Sequence, residues 1–248
     1  MKHVALAGAT HGIGLALAIE YARRGWRVAV LGRDPADLAA AVAAARSASA
    51  GEMVVGVLWD ATDPGRSGPA FDEAARALGQ VDLLVYVAGL LLSGGDAKRL
   101  GEDAARMMEV NVTGAIRLLE HGAEYMKAAG RGRLAAVGSI AGDRGRKGNP
   151  AYGASKAALD AYLEGLRHRL HGSGVGVSTV KPGFVRTRML PATAPSFPPA
   201  ISAEDAARRI ARGLARGRDV FYVPAWWALV SWVLRMMPRF LFKRLAPP

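Results

Sequence analysis

Tyr152 and Lys156 stand four residues apart in the run Tyr152-Gly153-Ala154-Ser155-Lys156, and Ser139 lies thirteen residues before the tyrosine. On a helix, positions i and i+4 share one face, so a phenol and an ammonium would project into the same space. A tyrosine hydroxyl ordinarily titrates near about pH 10. A neighbouring cation favours the phenolate and is expected to draw that value toward neutrality, where proton transfer is efficient. The chemistry this predicts is acid/base work on a carbonyl. The spacing alone also suits a solvated helix face carrying an extended lysine, so its meaning depends on the elements around it.

The N-terminus supplies the first of these. Lys2-His3-Val4-Ala5-Leu6-Ala7 reads as a buried strand. Next comes the turn Gly8-Ala9-Thr10-His11-Gly12-Ile13-Gly14, and Leu15 to Arg24 has helical apolar spacing. Glycines at 8, 12 and 14 permit a tight turn, close backbone approach to a pyrophosphate, and close packing of helix on strand. The helix N-terminus would offer N–H donors and partial positive charge to the phosphates. His11 reads as a loop residue near those phosphates.

A second strand, Trp26 to Leu31, ends at Gly32-Arg33-Asp34-Pro35. An acid at that strand end would bind ribose hydroxyls and repel a 2′-phosphate, but Gly32 stands there. Arg33 follows, and a guanidinium can pair with a 2′-phosphate through charge-assisted bonds. Asp34 before Pro35 reads as a helix N-cap. This pattern favours NADP(H) over NAD(H).

Strand-like runs near 2–7, 26–31, 53–58, 82–87, 132–138, 175–181 and 219–223 alternate with helical stretches. The alternation predicts an α/β fold, a doubly wound parallel sheet of the Rossmann type with about seven strands and helices on both faces. The 248 residues suffice for one large core, and no stretch reads as an interdomain linker or an internal repeat. The division expected is a single NADP(H)-binding catalytic domain over 1–223, including a substrate loop at 184–201, with an amphipathic extension over 224–248.

Further pieces complete a pattern. Trp59-Asp60-Ala61 closes the third strand, and Asp82 to Val87 leads into Ala88-Gly89. Asn111-Val112-Thr113-Gly114 lies in a long helical stretch, and Lys181-Pro182-Gly183-Phe184-Val185-Arg186-Thr187 follows a late strand. With Ser139, Tyr152 and Lys156, these make the chain resemble the short-chain dehydrogenase/reductase family, in its compact single-domain branch, from Met1 to about Gly217.

That resemblance implies roles. Tyr152 would be the general acid in carbonyl reduction and the base in the reverse direction. Lys156 would tune it and hold the nicotinamide ribose, and Ser139 would hydrogen-bond the substrate oxygen. Asn111 would bend its helix and hold a water linking Lys156 to solvent. Asp60 and the adjoining Ala61 would meet the adenine, and Ala88-Gly89 would pack along the cofactor. Pro182, Gly183, Val185 and Thr187 would face the nicotinamide. Two departures stand out. Ala7 replaces a usual threonine, and Tyr86-Val87-Ala88-Gly89 replaces a common Asn-Asn-Ala-Gly, so polar groups that normally brace the sheet and cofactor loop are missing. The tail and the Ser139–Lys156 stretch also resemble a subgroup of bacterial reductases that includes enzymes reducing a polyprenyl-phosphoryl (decaprenylphosphoryl) keto-ribose.

Composition narrows the partners. The chain has no cysteine, which excludes disulfides and thiol catalysis and fits a reducing cytoplasm. Its five histidines (3, 11, 121, 168, 171) are scattered, so no metal site is expected. The formal charge is +12. No nucleic-acid motif accompanies it, leaving an anionic substrate or an anionic membrane. Arg144, Arg146 and Lys147, with Arg186 and Arg188, are expected at the active-site mouth as recognition groups for a substrate anion. Leu90-Leu91-Leu92 and a proline-rich loop (Pro191, Pro195, Pro198, Pro199) imply an apolar part of the pocket.

The tail alternates Trp, Phe and Leu with Arg and Lys over 225–245, broken by Pro238. From 205 to 248 nine Lys/Arg face two acids. The apolar stretch is shorter than the roughly 20 residues of a bilayer span. Two short helices lying in a membrane interface are expected, or packing on a partner subunit or over the substrate.

The function these observations predict is NADPH-dependent reduction of a ketone, reversible as an alcohol dehydrogenase. The substrate expected is a small-molecule or lipid-linked ketone, apolar, with an anionic group compatible with the basic mouth. The family resemblance implies a homodimer or homotetramer, placed in the cytoplasm or at the inner face of the membrane. The alternative is a non-catalytic NADP(H)-binding sensor or scaffold of the same fold.

Overall fold

The computed structural model describes residues 2–51, 53–92, 97–190 and 199–245. Seven strands form one parallel sheet: β1 His3–Ala7, β2 Arg27–Gly32, β3 Val54–Leu58, β4 Leu83–Tyr86, β5 Gly132–Val137, β6 Val175–Pro182 and β9 Val220–Val223. Their order across the sheet is β3-β2-β1-β4-β5-β6-β9. Two further two-residue strands, β7 Val185–Arg186 and β8 Ile201–Ser202, pair with each other outside it. The sheet is the doubly wound Rossmann arrangement that the alternation predicted, and each predicted run matches one strand to within a residue at either end.

The central strands are apolar on both faces because helices cover both. Along β1, Val4 and Leu6 point to one core and Ala5 and Ala7 to the other. The first core is closed by α1 Gly12–Arg23, α2 Pro35–Ser47 and α7 Ala203–Ala215. The second is closed by α3 Ser67–Leu78, α5 Gly114–Ala128 and α6 Pro150–Arg169. Tyr21 fills the first core, and Phe71 and Tyr86 the second.

Local signals set the helix starts. Asp34 caps α2 by accepting from Asp37 N at 2.9 Å, with Pro35 in the first turn. Asn149 caps α6 by accepting from Tyr152 N at 2.9 Å, ahead of Pro150. The capping bond fixes the first turn of α6, from which Tyr152 projects.

A continuous helical stretch runs through α4 Ala97–Met108, a π turn Glu109–Thr113, and α5. A π turn widens the helix by one residue and swings a side chain out of the regular stagger. Just after it, a Cβ on Gly114 would come within 2.5 Å of Ala61 O, so the start of α5 packs backbone to backbone on the loop after β3. The extension consists of α8 Trp227–Met236 and α9 Arg239–Leu245, separated at Pro238 as expected. Of the predicted proline-rich loop, Pro191, Pro195 and Pro198 lie outside the described residues, as does much of the expected substrate loop 184–201.

Candidate active site

Strand order reverses between β1 and β4, and a cleft of about 820 Å³ opens at their C-terminal ends. In open α/β sheets this is where ligands bind. Gly8 and Ala88 meet here: at φ +80 a Cβ on Gly8 would stand 2.5 Å from the Ala88 backbone. A Cβ on Gly14 would strike Gly8 O at 2.5 Å. Side chains are therefore excluded at positions 8 and 14, the close backbone approach that a cradle for a pyrophosphate requires.

Gly12, Ile13 and Gly14 open α1 and line the cleft. His11 at the N-cap makes no side-chain bond to the helix, leaving the first-turn amides uncapped by it. It turns instead to Thr10 Oγ1 at 3.1 Å and Asp37 Oδ1 at 3.4 Å. Arg33 lines the cleft just beyond β2 and has no hydrogen-bond or ion-pair partner among the described residues. Asp60 accepts from Thr62 N and Thr62 Oγ1, both at 2.9 Å. A dinucleotide fits this end: a turn with glycines at its points of closest backbone approach, helix amides not capped by His11 and a free guanidinium lie in one cleft.

At the other end α6 presents Tyr152 and Lys156. Tyr152 is half-buried and hydrogen-bonded to the Ser139 hydroxyl. Ser139 Oγ also accepts from Ala141 N at 3.1 Å, which fixes its rotamer. Lys156 is 3% exposed and donates to Val137 O at 2.9 Å. Asn111, fully buried in the π turn, donates to Leu90 O and Ser155 Oγ, each at 2.9 Å, and accepts from Leu90 N at 2.7 Å. Both amide hydrogens of Asn111 are thus spent on protein. A water held by this side chain would have only Oδ1 to bind.

The electrostatics correct one expectation. Lys156 does not draw the Tyr152 phenol down. Burial pushes it above its ordinary value, with the Ser139 hydrogen bond pulling weakly the other way. The Lys156 Nζ sits 5.8 Å from the phenol ring centroid and spends a hydrogen on Val137 O. Its own pKa is lowered from 10.5 to about 8 by burial, against the opposing pull of Asp160. Tyr152, Lys156 and Asp160 follow each other at i+4 steps along α6.

Behind them lies a polar cluster. Lys181 forms ion pairs with Asp143 and, at 2.9 Å, with Asp160. The Asp160 contact lacks hydrogen-bond geometry, so both its carboxylate oxygens stay without a hydrogen-bond donor, and burial raises its pKa despite Lys181.

Apart from Asn111, which lies buried behind the wall, every residue singled out for catalysis or cofactor contact lines the cleft: Gly8, Thr10, His11, Gly12, Ile13, Gly14, Arg33, Asp60, Ala61, Ala88, Gly89, Ser139, Tyr152, Lys156, Pro182, Gly183, Val185 and Thr187. The basic residues divide. Arg146 and Arg188 line the cleft. Arg144 does not. It donates to Leu234 O and, at 2.6 Å, to Met237 O, and its guanidinium lies 3.9 Å from the Phe242 ring centroid. Arg144 thus holds the C-terminal helices, because the last carbonyls of α8 lack helical donors. Arg186 donates to Ala200 O at 2.6 Å, tying β7 to the segment before β8, and neither it nor Lys147 lines the cleft.

Tyr86, where a polar brace was expected to be missing, supplies one. Its buried hydroxyl donates to Val110 O at 2.5 Å, joining β4 to the π turn beside Asn111. Asn149 and Ser155 also belong to the site and were not singled out. Asn149 donates to Leu92 O at 2.8 Å as well as capping α6, and the Asn-Pro pair before a helix is a readable capping signal. Ser155 Oγ donates to Tyr152 O at 2.8 Å within α6 and accepts from Asn111 Nδ2 at 2.9 Å, and this second, long-range contact is announced by no local pattern.

A family profile described as short chain dehydrogenase matches residues 2–196. An uncharacterized oxidoreductase of Mycobacterium tuberculosis is 36% identical over 221 residues, 87% of this chain and 86% of that relative. Among solved structures, a short-chain dehydrogenase from Sphingobium yanoikuyae in complex with NADPH superposes with a TM-score of 0.81. It is 27% identical, with 96% of this chain and 97% of that one covered. A short-chain dehydrogenase/reductase from Burkholderia phymatum in complex with NAD gives the same TM-score at 25% identity, covering 100% and 95%.

Proposed function

The chain belongs to the short-chain dehydrogenase family, and from that premise we propose that it is an NADPH-dependent carbonyl reductase, reversible as an alcohol dehydrogenase. The observation that carries the reading is one cleft holding both the tightly packed glycine turn and the Ser139–Tyr152–Lys156 group, with Asn111 behind it. The bound nicotinamide would supply the hydride in one direction and accept it in the other. Gly8, Gly12 and Gly14 would hold its pyrophosphate against the α1 amides.

The chain's own groups move the proton. Burial keeps the Tyr152 phenol protonated through neutral pH, so it stands ready to donate to a carbonyl oxygen as negative charge develops there. Ser139 Oγ, held by Ala141 N, can donate to the same oxygen. The ammonium of Lys156 would stabilise the phenolate left behind, a charge that strengthens the attraction once it forms. Asn111 acts through position: it clamps Leu90 and Ser155 around α6 and the loop after β4.

NADP(H) is preferred in this reading because Arg33 is unpaired at the end of β2 and Gly32 stands where an acid would select NAD(H). The substrate reading is an apolar or lipid-linked ketone bearing an anion. Leu90, Leu91, Met189 and Leu190 make part of the wall apolar. Arg146 lines the same wall with its buried Nε lacking a partner, and burial disfavours its charge with Asp143 as the opposing attraction. A substrate anion would satisfy that group.

The test is side-by-side titration with NADPH and NADH for wild type and Arg33→Ala. A lost charge-assisted bond of about 1.5–3 kcal/mol weakens NADPH roughly 10- to 100-fold and leaves NADH nearly unchanged. Equal weakening of both nucleotides, or of neither, would refute the selector role.

A further inference from the structure

The helix α8 is built inside out. Its buried positions are Trp227 and a serine, Ser231 at 3% exposure, whereas Leu229, Trp232 and Met236 are 65%, 62% and 67% exposed. Ser231 Oγ donates to Asp143 Oδ2 at 2.6 Å and shares a 3.0 Å contact with Tyr222 Oη. Arg144 secures the far end through Leu234 O and Met237 O. The helix is therefore held by polar bonds and one indole, and its larger apolar face points outward. In α9, Phe240 is likewise exposed, at 68%. Several large apolar side chains left in solvent on neighbouring elements mark a contact site.

The charge on this face selects its occupant. Between 225 and 245 stand Arg235, Arg239, Lys243 and Arg244, all exposed, and no acid. A second copy docking by two-fold symmetry would set this cationic patch against itself, because such interfaces join the same surface on both subunits. An anionic bilayer surface complements both features, with tryptophan and phenylalanine entering the headgroup region and arginine and lysine meeting lipid phosphates. Among the described residues no helix is long and apolar enough to cross a membrane, so the contact is in plane.

The face also adjoins the cleft. Trp227 packs against Gly183, where an added Cβ would fall 1.9 Å from its Nε1, and edge-on to Phe184 at 5.5 Å between centroids. Gly183 and Phe184 both line the cleft. We infer that α8 and α9 form a docking strap for anionic membrane surfaces, fixed by Arg144 and Asp143 at the rim of the cleft. This does not depend on the catalytic reading.

The experiment is co-sedimentation of the full chain with phosphatidylcholine vesicles, with and without phosphatidylglycerol. Each cation near the surface adds roughly a fivefold gain, so with four of them the anionic vesicles should bind on the order of several hundredfold more tightly, an advantage that salt erodes. Arg239→Glu with Lys243→Glu should abolish that preference, and Trp232→Glu with Phe240→Glu should abolish binding. Quenching of wild-type tryptophan fluorescence by brominated lipid reads the same contact without any variant. Equal, negligible binding to both vesicles would overturn the inference. So would a wild-type oligomer that Trp232→Glu/Phe240→Glu converts to monomer in the absence of vesicle binding, since the face would then belong to a second copy.

Discussion

Replacing Lys156 by methionine should abolish turnover and at the same time stabilise the protein. Lys156 is buried, and its pKa falls from 10.5 to about 8, a drop of about 2.5. At about 1.36 kcal/mol per pKa unit, carrying the charged side chain at neutral pH costs about 3 kcal/mol relative to the unfolded chain. Methionine is unbranched and apolar and can fill the same channel. Its substitution forfeits the hydrogen bond to Val137 O, about 1 kcal/mol, and removes one of the two cations near Asp160, which keeps Lys181 at 2.9 Å.

The net gain is about 1–2 kcal/mol near pH 7, or roughly 2–8 °C in Tm for a chain of this size. Its pH dependence identifies the cause. Below pH 8 both folded and unfolded lysine are protonated, and the penalty is full. Between pH 8 and 10.5 the folded lysine sheds its proton while the unfolded one keeps it, so wild-type stability gains with rising pH and the methionine advantage shrinks. Urea unfolding without nucleotide at pH 7 and at about pH 9.5 reads both. A variant less stable than wild type at pH 7, or an advantage that does not shrink with pH, would refute the reasoning.

Gly8→Ala, whose Cβ would lie 2.5 Å from the Ala88 backbone at positive φ, should cost more than about 2 kcal/mol and eliminate nucleotide binding, read by urea unfolding and NADPH titration. Arg144 and Arg146, two residues apart, should behave oppositely. Arg144→Ala releases the tail, so limited proteolysis beyond residue 237 accelerates while KM for ketones is unchanged. Arg146→Ala leaves the tail protected and raises KM for 4-acetylbenzoate, but not for acetophenone, by about 10- to 100-fold.

The sheet was legible because its signals are local. Runs such as Val28 to Leu31 are apolar on both faces, as strands covered on both sides must be. The cap at Asp34 and the break at Pro238 were readable for the same reason. What stayed hidden depends on partners distant in sequence. Arg144 reads as one cation in a basic run, and only the fold brings Leu234 and Met237, some 90 residues on, within reach of it. Tyr86 looks like a lost brace until the π turn supplies Val110 O. The tyrosine–lysine spacing announced the pair but misjudged its electrostatics, because the neighbour's charge can be read from sequence whereas the depth of burial cannot.

The most direct test of the central claim is NADPH oxidation by wild type and Tyr152→Phe across a panel of ketones, with NADPH affinity measured in parallel. A ring without its hydroxyl keeps the packing and loses the proton. Wild type should turn over at least one ketone, and the phenylalanine variant should be slower by about 10²- to 10⁴-fold with NADPH affinity unchanged. A variant that retains the wild-type rate would contradict the assignment of Tyr152 as proton donor, and a nucleotide-bound wild type that turns over nothing in the panel would contradict the claim that this cleft reduces carbonyls.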